Sequence, residues 1–268
     1  MSKLEEALEK ASKIRRVEEY SSVRKVKSIN RGALGNFDNH IVTLNDSESP
    51  IGEEYRRLKS MVIRETKSNF LNTLMVTSSI DSEGKTLTAI NLAIALAQEI
   101  DHSILLVDAD LRNPMINEYL GIDYRYGLSD YLTRDIDISD IMLKTGIGNL
   151  IVIPAGRGAR NPVELLSSVR MHSLVNELKH RYMDRYIIID TPPVLPFADT
   201  IAIGPSVDGV VFVVQEGRAQ ISSIQEALNI MKDLKMLGVV YNNVSSANLD
   251  GHYSRYYKYN YKYRKEEK

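Results

Sequence analysis

Thr73-Leu-Met-Val-Thr-Ser-Ser79-Ile-Asp-Ser-Glu-Gly84-Lys85-Thr86-Leu-Thr-Ala-Ile90 is the stretch that decides the fold. It opens as an apolar run of strand length, passes through a short polar loop, and continues as an apolar helical pattern to about Gln98. Gly-Lys-Thr at the junction of a strand and a helix has a physical use. Backbone N–H groups and the helix N-terminus can wrap a phosphate, a lysine can reach its oxygens, and a hydroxyl can ligate a divalent cation. The expected cradle is Ser79, Asp81, Ser82, Glu83, Gly84, Lys85, Thr86 and Leu87. Ser79 stands where such loops usually carry their first glycine, so it must adopt an unstrained αR or β conformation.

Two acidic strand ends lie downstream. Leu105-Leu-Val-Asp108-Ala-Asp110-Leu-Arg112 places two carboxylates on one side of the chain if it stays extended. Alone they would repel, whereas beside a metal-bound polyphosphate both have a role. Ile187-Ile-Ile-Asp190-Thr-Pro-Pro193 ends a wholly apolar strand on an aspartate, the position from which P-loop proteins hold Mg²⁺ or its waters. The site implied is one for Mg·ATP. Thr86, Asp108, Asp110 and Asp190 are the candidate metal groups, and Lys85 with the three aspartates is the candidate catalytic set.

Around these motifs, apolar runs alternate with helical patterns. Strands are expected at 73–77, 104–107, 150–154, 186–189, 210–214 and 237–241. Helices are expected at 51–68, through 90–98, at 162–180 and at 221–234. Strands apolar on both faces and separated by helices argue for an α/β fold, a mostly parallel sheet flanked by helices on both faces. The chain divides into a charged arm and linker (1–50), a P-loop domain (51–245) and a tail (246–268). In the arm, Leu4, Ala7, Leu8, Ala11 and Ile14 recur at helical spacing, which suits a solvated terminal helix or docking on a partner or an anionic surface.

Composition narrows the function. With no cysteine, disulfides, thiolate catalysis and cysteine-ligated zinc are excluded. A formal charge of −1 leaves no global electrostatic effect, and no export signal or spanning segment is visible, so a cytoplasmic chain is expected. The odd figure is 15 tyrosines among 19 aromatics. Six of them, Tyr253, Tyr256, Tyr257, Tyr259, Tyr261 and Tyr263, fall within eleven residues, and five Lys/Arg with no acid lie from His252 to Lys265.

The set as a whole, Gly84-Lys85-Thr86, then Asp108-x-Asp110-x-Arg112, then Asp190-x-x-Pro193, resembles the three phosphate and metal motifs of bacterial tyrosine kinases. These are the P-loop autokinases of capsule and exopolysaccharide export. Glu53-x-x-Arg56-x-x-Lys59 is similar to that family's Glu-x-x-Arg-x-x-Arg oligomerisation helix, with lysine for the last arginine, and the tail resembles its tyrosine cluster. The chain's opening residues look like the exosortase-associated branch. The resemblance implies an autokinase that passes the ATP γ-phosphate to tail tyrosines of a neighbouring subunit in a ring. Asp108 would be the base, with Asp110 and Asp190 nearer the metal, although these roles can be exchanged. Arg112 would belong to the nucleotide site, and Asn242 would lie against the adenine edge or simply cap its strand. Implied partners are further copies of the chain, a membrane polysaccharide co-polymerase that keeps the kinase at the inner membrane, and a tyrosine phosphatase. No nucleic acid is expected.

Other readings share the site. For Glu53, Arg56 and Lys59 the plain alternative is i,i+3 pairing on an exposed helix. For the tail it is a nucleic-acid-binding segment or an ordinary terminus. A spatial-regulator ATPase of the cell-division type shares the fold, but needs an early loop lysine absent from Ser79 to Glu83. A non-enzymatic nucleotide-binding scaffold is the third.

Overall fold

A computed structural model describes residues 27–28, 37–68, 71–99, 102–181 and 185–245. The amphipathic pattern at 4–14 and all six tail tyrosines lie outside the described residues. In chain order, the elements begin with β1 (Lys27–Ser28), α1 (Val42–Asn45), α2 (Pro50–Lys67), β2 (Thr73–Ser78), α3 (Lys85–Ala97) and β3 (Ser103–Asp108). Next come α4 (Ile116–Tyr119), α5 (Leu128–Thr133), α6 (Ile138–Ile141), β4 (Leu143–Lys144) and β5 (Leu150–Ile153). The last are α7 (Pro162–Leu166), α8 (Val169–Arg181), β6 (Arg185–Asp190), α9 (Asp199–Ile203), β7 (Gly209–Gln215), α10 (Ile221–Ile230) and β8 (Met236–Asn242).

The strands form one eight-stranded sheet in the order β1-β4-β5-β3-β6-β2-β7-β8. Every pairing is parallel except β4 with β5. Alternation along each strand sends side chains to opposite faces. Leu74, Val76, Ile104, Leu106, Ile188, Val211 and Val213 pack with α3 on one face. Met75, Leu105, Val107, Ile187, Ile189 and Phe212 pack with Met171, Leu174, Val175 and Leu178 of α8 on the other. With both faces covered, the central strands are apolar throughout, which is why they read as continuous runs in the sequence.

Helix α3 is buried around nearly its whole circumference, Leu87 alone being half-buried. A helix apolar all round must be enclosed, and α1, α2 and the sheet enclose it. Helix α2 starts where local chemistry dictates. Ser49 Oγ accepts from Gly52 N at 3.0 Å, and Pro50 occupies the first turn.

Three expectations change. Residues 37–50, read as linker, pack on the domain: Ile41 is fully buried, and Thr43 N and Oγ1 donate to Asn91 Oδ1 at 3.1 and 2.9 Å. The polar composition that suggested a linker supplies these contacts. Helix 162–180 is two helices, because Ser168 Oγ donates to Leu165 O at 2.7 Å and accepts from Met171 N at 3.1 Å. That hydroxyl ends one helix and caps the next. Val169 at the junction is consequently 82% exposed, while Met171 is buried. Strands β1 and β4, two residues each, carry too little pattern to be read from sequence.

Candidate active site

The loop between β2 and α3 sits at the carboxyl edge of the sheet, near the middle of the strand order. This is the usual ligand crevice of open α/β sheets. Its conformation rests on two residues with positive φ, Ser82 at 64° and Gly84 at 88°. Gly84 has a steric as well as a conformational requirement, since a Cβ there would stand 2.1 Å from Asn242 Nδ2. Ser79 is buried and shows no positive φ. In place of the usual glycine, its hydroxyl donates to Glu83 Oε2 at 2.6 Å.

Glu83 is the loop's internal anchor. Its carboxylate is fully buried and also accepts from Ser79 N (2.8 Å), Ile80 N (3.0 Å) and Gln215 N (3.3 Å). Expected among the ligand-facing residues, its side chain instead turns inward, where three amides and a hydroxyl replace lost water. Asn242 closes the same brace, Nδ2 donating to Glu83 O at 2.9 Å. That contact ties the end of β8 to the phosphate loop. Asp81 and Ser82 are exposed, and Leu87 is half-buried.

The charged groups converge at the start of α3. Lys85 Nζ lies 2.6 Å from Asp110 Oδ2, 4.0 Å from Asp190 Oδ2 and 3.2 Å from Thr86 Oγ1. Thr86 Oγ1 donates to Asp190 Oδ2 at 2.7 Å. Asp108 and Asp190 are register partners on β3 and β6, which brings two distant sequence motifs side by side. Asp108 accepts from Asp110 N and Ile116 N, both at 3.2 Å, and Asp110 Oδ1 accepts from Asn113 N at 3.0 Å. Asp190 Oδ1 is buried with no hydrogen-bond partner.

Electrostatics follow from that crowding. Burial raises Asp190 to about 6, against the opposing pull of Lys85 and Thr86. Burial, reinforced by the Asp190 and Asp110 charges, lifts Asp108 well above the carboxylate range. Burial works against the Lys85 charge, but Asp190 and Asp110 outweigh it and raise the ammonium above its ordinary value. One cation among three carboxylates leaves a negative excess.

A divalent cation fits this donor set. Asp190 offers a bare buried oxygen, and the Thr86 hydroxyl adjoins it. Among the described residues no three acidic or histidine side chains form an ion cage by themselves. Mg²⁺ commonly takes only one or two carboxylates, with substrate phosphates and waters completing its shell.

Three expected site residues have other partners. Arg112 Nε pairs with the fully buried Asp199 at 3.1 and 3.2 Å, and its guanidinium lies 4.4 Å from the Phe197 ring centroid. A buried carboxylate demands a cation, and Asp199 was not readable as buried from the sequence. Arg56 pairs with Glu53 at 2.6 Å within α2, the i,i+3 alternative. Lys59 pairs with Glu99 beyond the end of α3.

The AAA domain family matches residues 74–243. Tyrosine-protein kinase YwqD of Bacillus subtilis is 32% identical over 216 residues, covering 80% of this chain and 89% of the relative. Tyrosine-protein kinase ptk of Acinetobacter johnsonii is 29% identical over 206 residues, covering 76% of this chain but 28% of that longer protein. Among solved structures, the chimerical protein CapA2B2 superposes with a TM-score of 0.72 at 28% identity, covering 85% and 98% of the two chains. The septum site-determining protein MinD of Pyrococcus horikoshii, at a TM-score of 0.55 and 21% identity over 69% and 76%, shares the fold alone.

Proposed function

The chain belongs to the bacterial tyrosine-protein kinases, and from that premise we propose that it passes the γ-phosphoryl group of Mg·ATP to tyrosines of its own C-terminal tail, within an assembly of like subunits. The observation that carries the reading is the convergence of Lys85, Thr86, Asp108, Asp110 and Asp190 at one strand edge. A sequence holding six tyrosines in eleven residues follows the last strand.

Each residue then has a task. Backbone amides from Asp81 to Leu87, at the α3 N-terminus, cradle the phosphates, those of Ser79 and Ile80 being held by Glu83. Lys85 exchanges Asp110 for phosphoryl oxygens and stabilises the charge that spreads over them during transfer. Thr86 and Asp190 are the groups best placed to hold Mg²⁺, which when bound neutralises phosphate charge. Asp108 accepts the tyrosine hydroxyl proton. Burial raises this carboxyl above its ordinary value and so strengthens it as a proton acceptor. Glu83 and Asn242 keep the loop in place without touching the reactants.

The unmodified tail is basic and the centre is acidic, so attraction favours entry. Each phosphotyrosine adds about −1.5 to −2 charges and reverses it. The wider setting is exopolysaccharide synthesis or export at the inner membrane, beside a polysaccharide co-polymerase and opposed by a tyrosine phosphatase. Supporting the partner is the length of ptk, in which a matching segment is joined to a much longer chain. No helix among the described residues is long and apolar enough to cross a membrane.

The test is incubation with labelled ATP and Mg²⁺, followed by mass spectrometry of the tail, for wild type and Lys85→Met. Phosphate on Tyr253 to Tyr263 in wild type alone is expected. Free phosphate release without any label on the protein would instead indicate a spatial-regulator ATPase.

A further inference from the structure

A second concavity opens beyond β5, at the same carboxyl edge and one strand outward from Asp108. Its volume is about 280 Å³, and its walls are α5 and the loop joining β5 to α7. Three guanidiniums line it, from Arg134, Arg157 and Arg160, against one carboxylate, Asp130. Asp130 is already engaged, accepting from Gly127 N at 3.1 Å and pairing with Arg134 at 3.4 Å.

Two further features point to a ligand. Ser129, also in the lining, has a buried hydroxyl with no hydrogen-bond partner, an arrangement costing about 1–3 kcal/mol unless something completes it. Gly156, at φ 90°, lies against that hydroxyl, where a Cβ would stand 2.3 Å from Ser129 Oγ. The Arg157 guanidinium is 5.9 Å from the Tyr124 ring centroid, and Tyr124 OH donates to Gly156 O at 3.1 Å. Tyr124 lies outside the lining and supports Arg157 and Gly156 from behind; arginines beside a hydroxyl suit a phosphoryl group. The volume lies just below the roughly 300–1,000 Å³ of drug-sized pockets, which suits one modified side chain better than a nucleotide.

We propose that this pocket binds a phosphotyrosine of the chain's own C-terminal tail, so that the reaction product is held beside the centre that made it. The inference rests on the tail being the kinase substrate. Charge selects the modified form: unmodified, the five Lys/Arg of residues 252–265 oppose three arginines, and phosphorylation inverts that balance. Chain length permits it. Strands β5 and β8 are five positions apart, about 24 Å at the usual ~4.8 Å spacing. From Ser245, the eleven residues to Tyr256 span up to about 36–40 Å when extended. The pocket of the same chain is therefore within reach. Phosphorylation would move the tail from an acidic site to a basic one rather than merely release it.

The experiment uses the full chain with Tyr253→Phe, Tyr256→Phe, Tyr257→Phe, Tyr259→Phe, Tyr261→Phe and Tyr263→Phe, so that its own tail does not compete. Synthetic peptides of residues 252–265 carry phosphotyrosine at 257, 259 and 261, phosphoserine at the same positions, or no phosphate. Binding is read by fluorescence anisotropy. The phosphotyrosyl peptide should bind at least about tenfold tighter than the other two. Arg157→Ala with Arg160→Ala should weaken it about tenfold or more, with ADP affinity and circular dichroism unchanged. Ser129→Ala should give a smaller loss of about two- to fivefold, and decides the matter if the arginine variant misfolds. Equal affinity for the phosphoserine peptide, equally effective competition by inorganic phosphate, or no effect of the variants overturns the proposal. The peptides are made by synthesis, so absence of tail labelling would defeat the kinase reading separately.

Discussion

Lys85 Nζ lies 2.6 Å from Asp110 Oδ2, and both side chains are almost fully buried. The lysine that must grip phosphate is therefore held by a carboxylate, and a phosphoryl group has to compete with Asp110 for it. Lys85→Met should lower tail phosphorylation by at least about 100-fold, because one charge-stabilising donor at a transferring group carries that much. Asp110→Asn should weaken the competition and give a lower Kd for ADP. Labelled-ATP transfer and isothermal titration read the two effects, and tighter ADP binding by wild type would refute the second.

Asp190→Asn should stabilise the protein while abolishing transfer. The Asp190 carboxyl is raised from 3.8 to about 6. Between those values the unfolded chain gives up this proton before the folded chain does, so rising pH favours unfolding across that window. The cost is complete above about pH 6 and amounts to roughly 2–3 kcal/mol. That cost is already net of the attraction to Lys85, so removing the charge with asparagine should gain on the order of 1–3 kcal/mol, or several degrees in Tm. Melting without added nucleotide should show the gain at pH 7.5 and its disappearance near pH 4. A gain that grew on acidification would contradict the assignment.

Glu83 anchors the loop through four hydrogen bonds. Glu83→Ala leaves three backbone amides without their acceptor, for a loss of about 2–4 kcal/mol after relaxation. Glu83→Gln keeps one oxygen and should cost less. Both should raise KM for ATP more than they change kcat, since the side chain shapes the cradle and is turned away from the phosphates. Thermal melting and steady-state kinetics check this, and unchanged KM in Glu83→Ala would count against it.

Gly84→Ala meets two obstacles of different origin. The positive φ costs a side-chain-bearing residue about 1–2 kcal/mol, and the new methyl would collide with Asn242 Nδ2. Adding Asn242→Ala should relieve the collision alone, so the double variant should recover part of the lost ADP affinity. Full recovery, or none, would show that one obstacle had been misjudged.

The parallel sheet and the position of its phosphate loop were legible because local signals agreed there. Leu74 to Val76, Leu105 to Val107 and Ile187 to Ile189 are apolar on both faces, and each run is followed within a few residues by candidate phosphate or metal residues. The β3–β6 register, which sets Asp108 beside Asp190 across about 80 residues of sequence, could only be anticipated as a shared edge. Other signals misled because burial of a polar side chain leaves no mark in the sequence. Glu83 reads as part of the phosphate cradle, Thr43 falls in the expected linker and nothing marks Asp199, yet each is almost fully buried and hydrogen-bonded. The break at Ser168 was hidden because apolar spacing continues through it.

By itself the sequence determined which chemistry is available: a phosphate-binding loop, three aspartates at strand ends and a tyrosine-rich basic segment. Those are properties of residue type and local spacing, which short-range backbone physics fixes. Tertiary structure decided the pairings, with Lys85 on Asp110, Arg112 on Asp199, Lys59 on Glu99 and Asn242 on the loop backbone. It also decided that three arginines and a partnerless hydroxyl share one pocket. The reason is that charge pairing and burial act through space, between groups brought together only when strands settle into register and helices close over them.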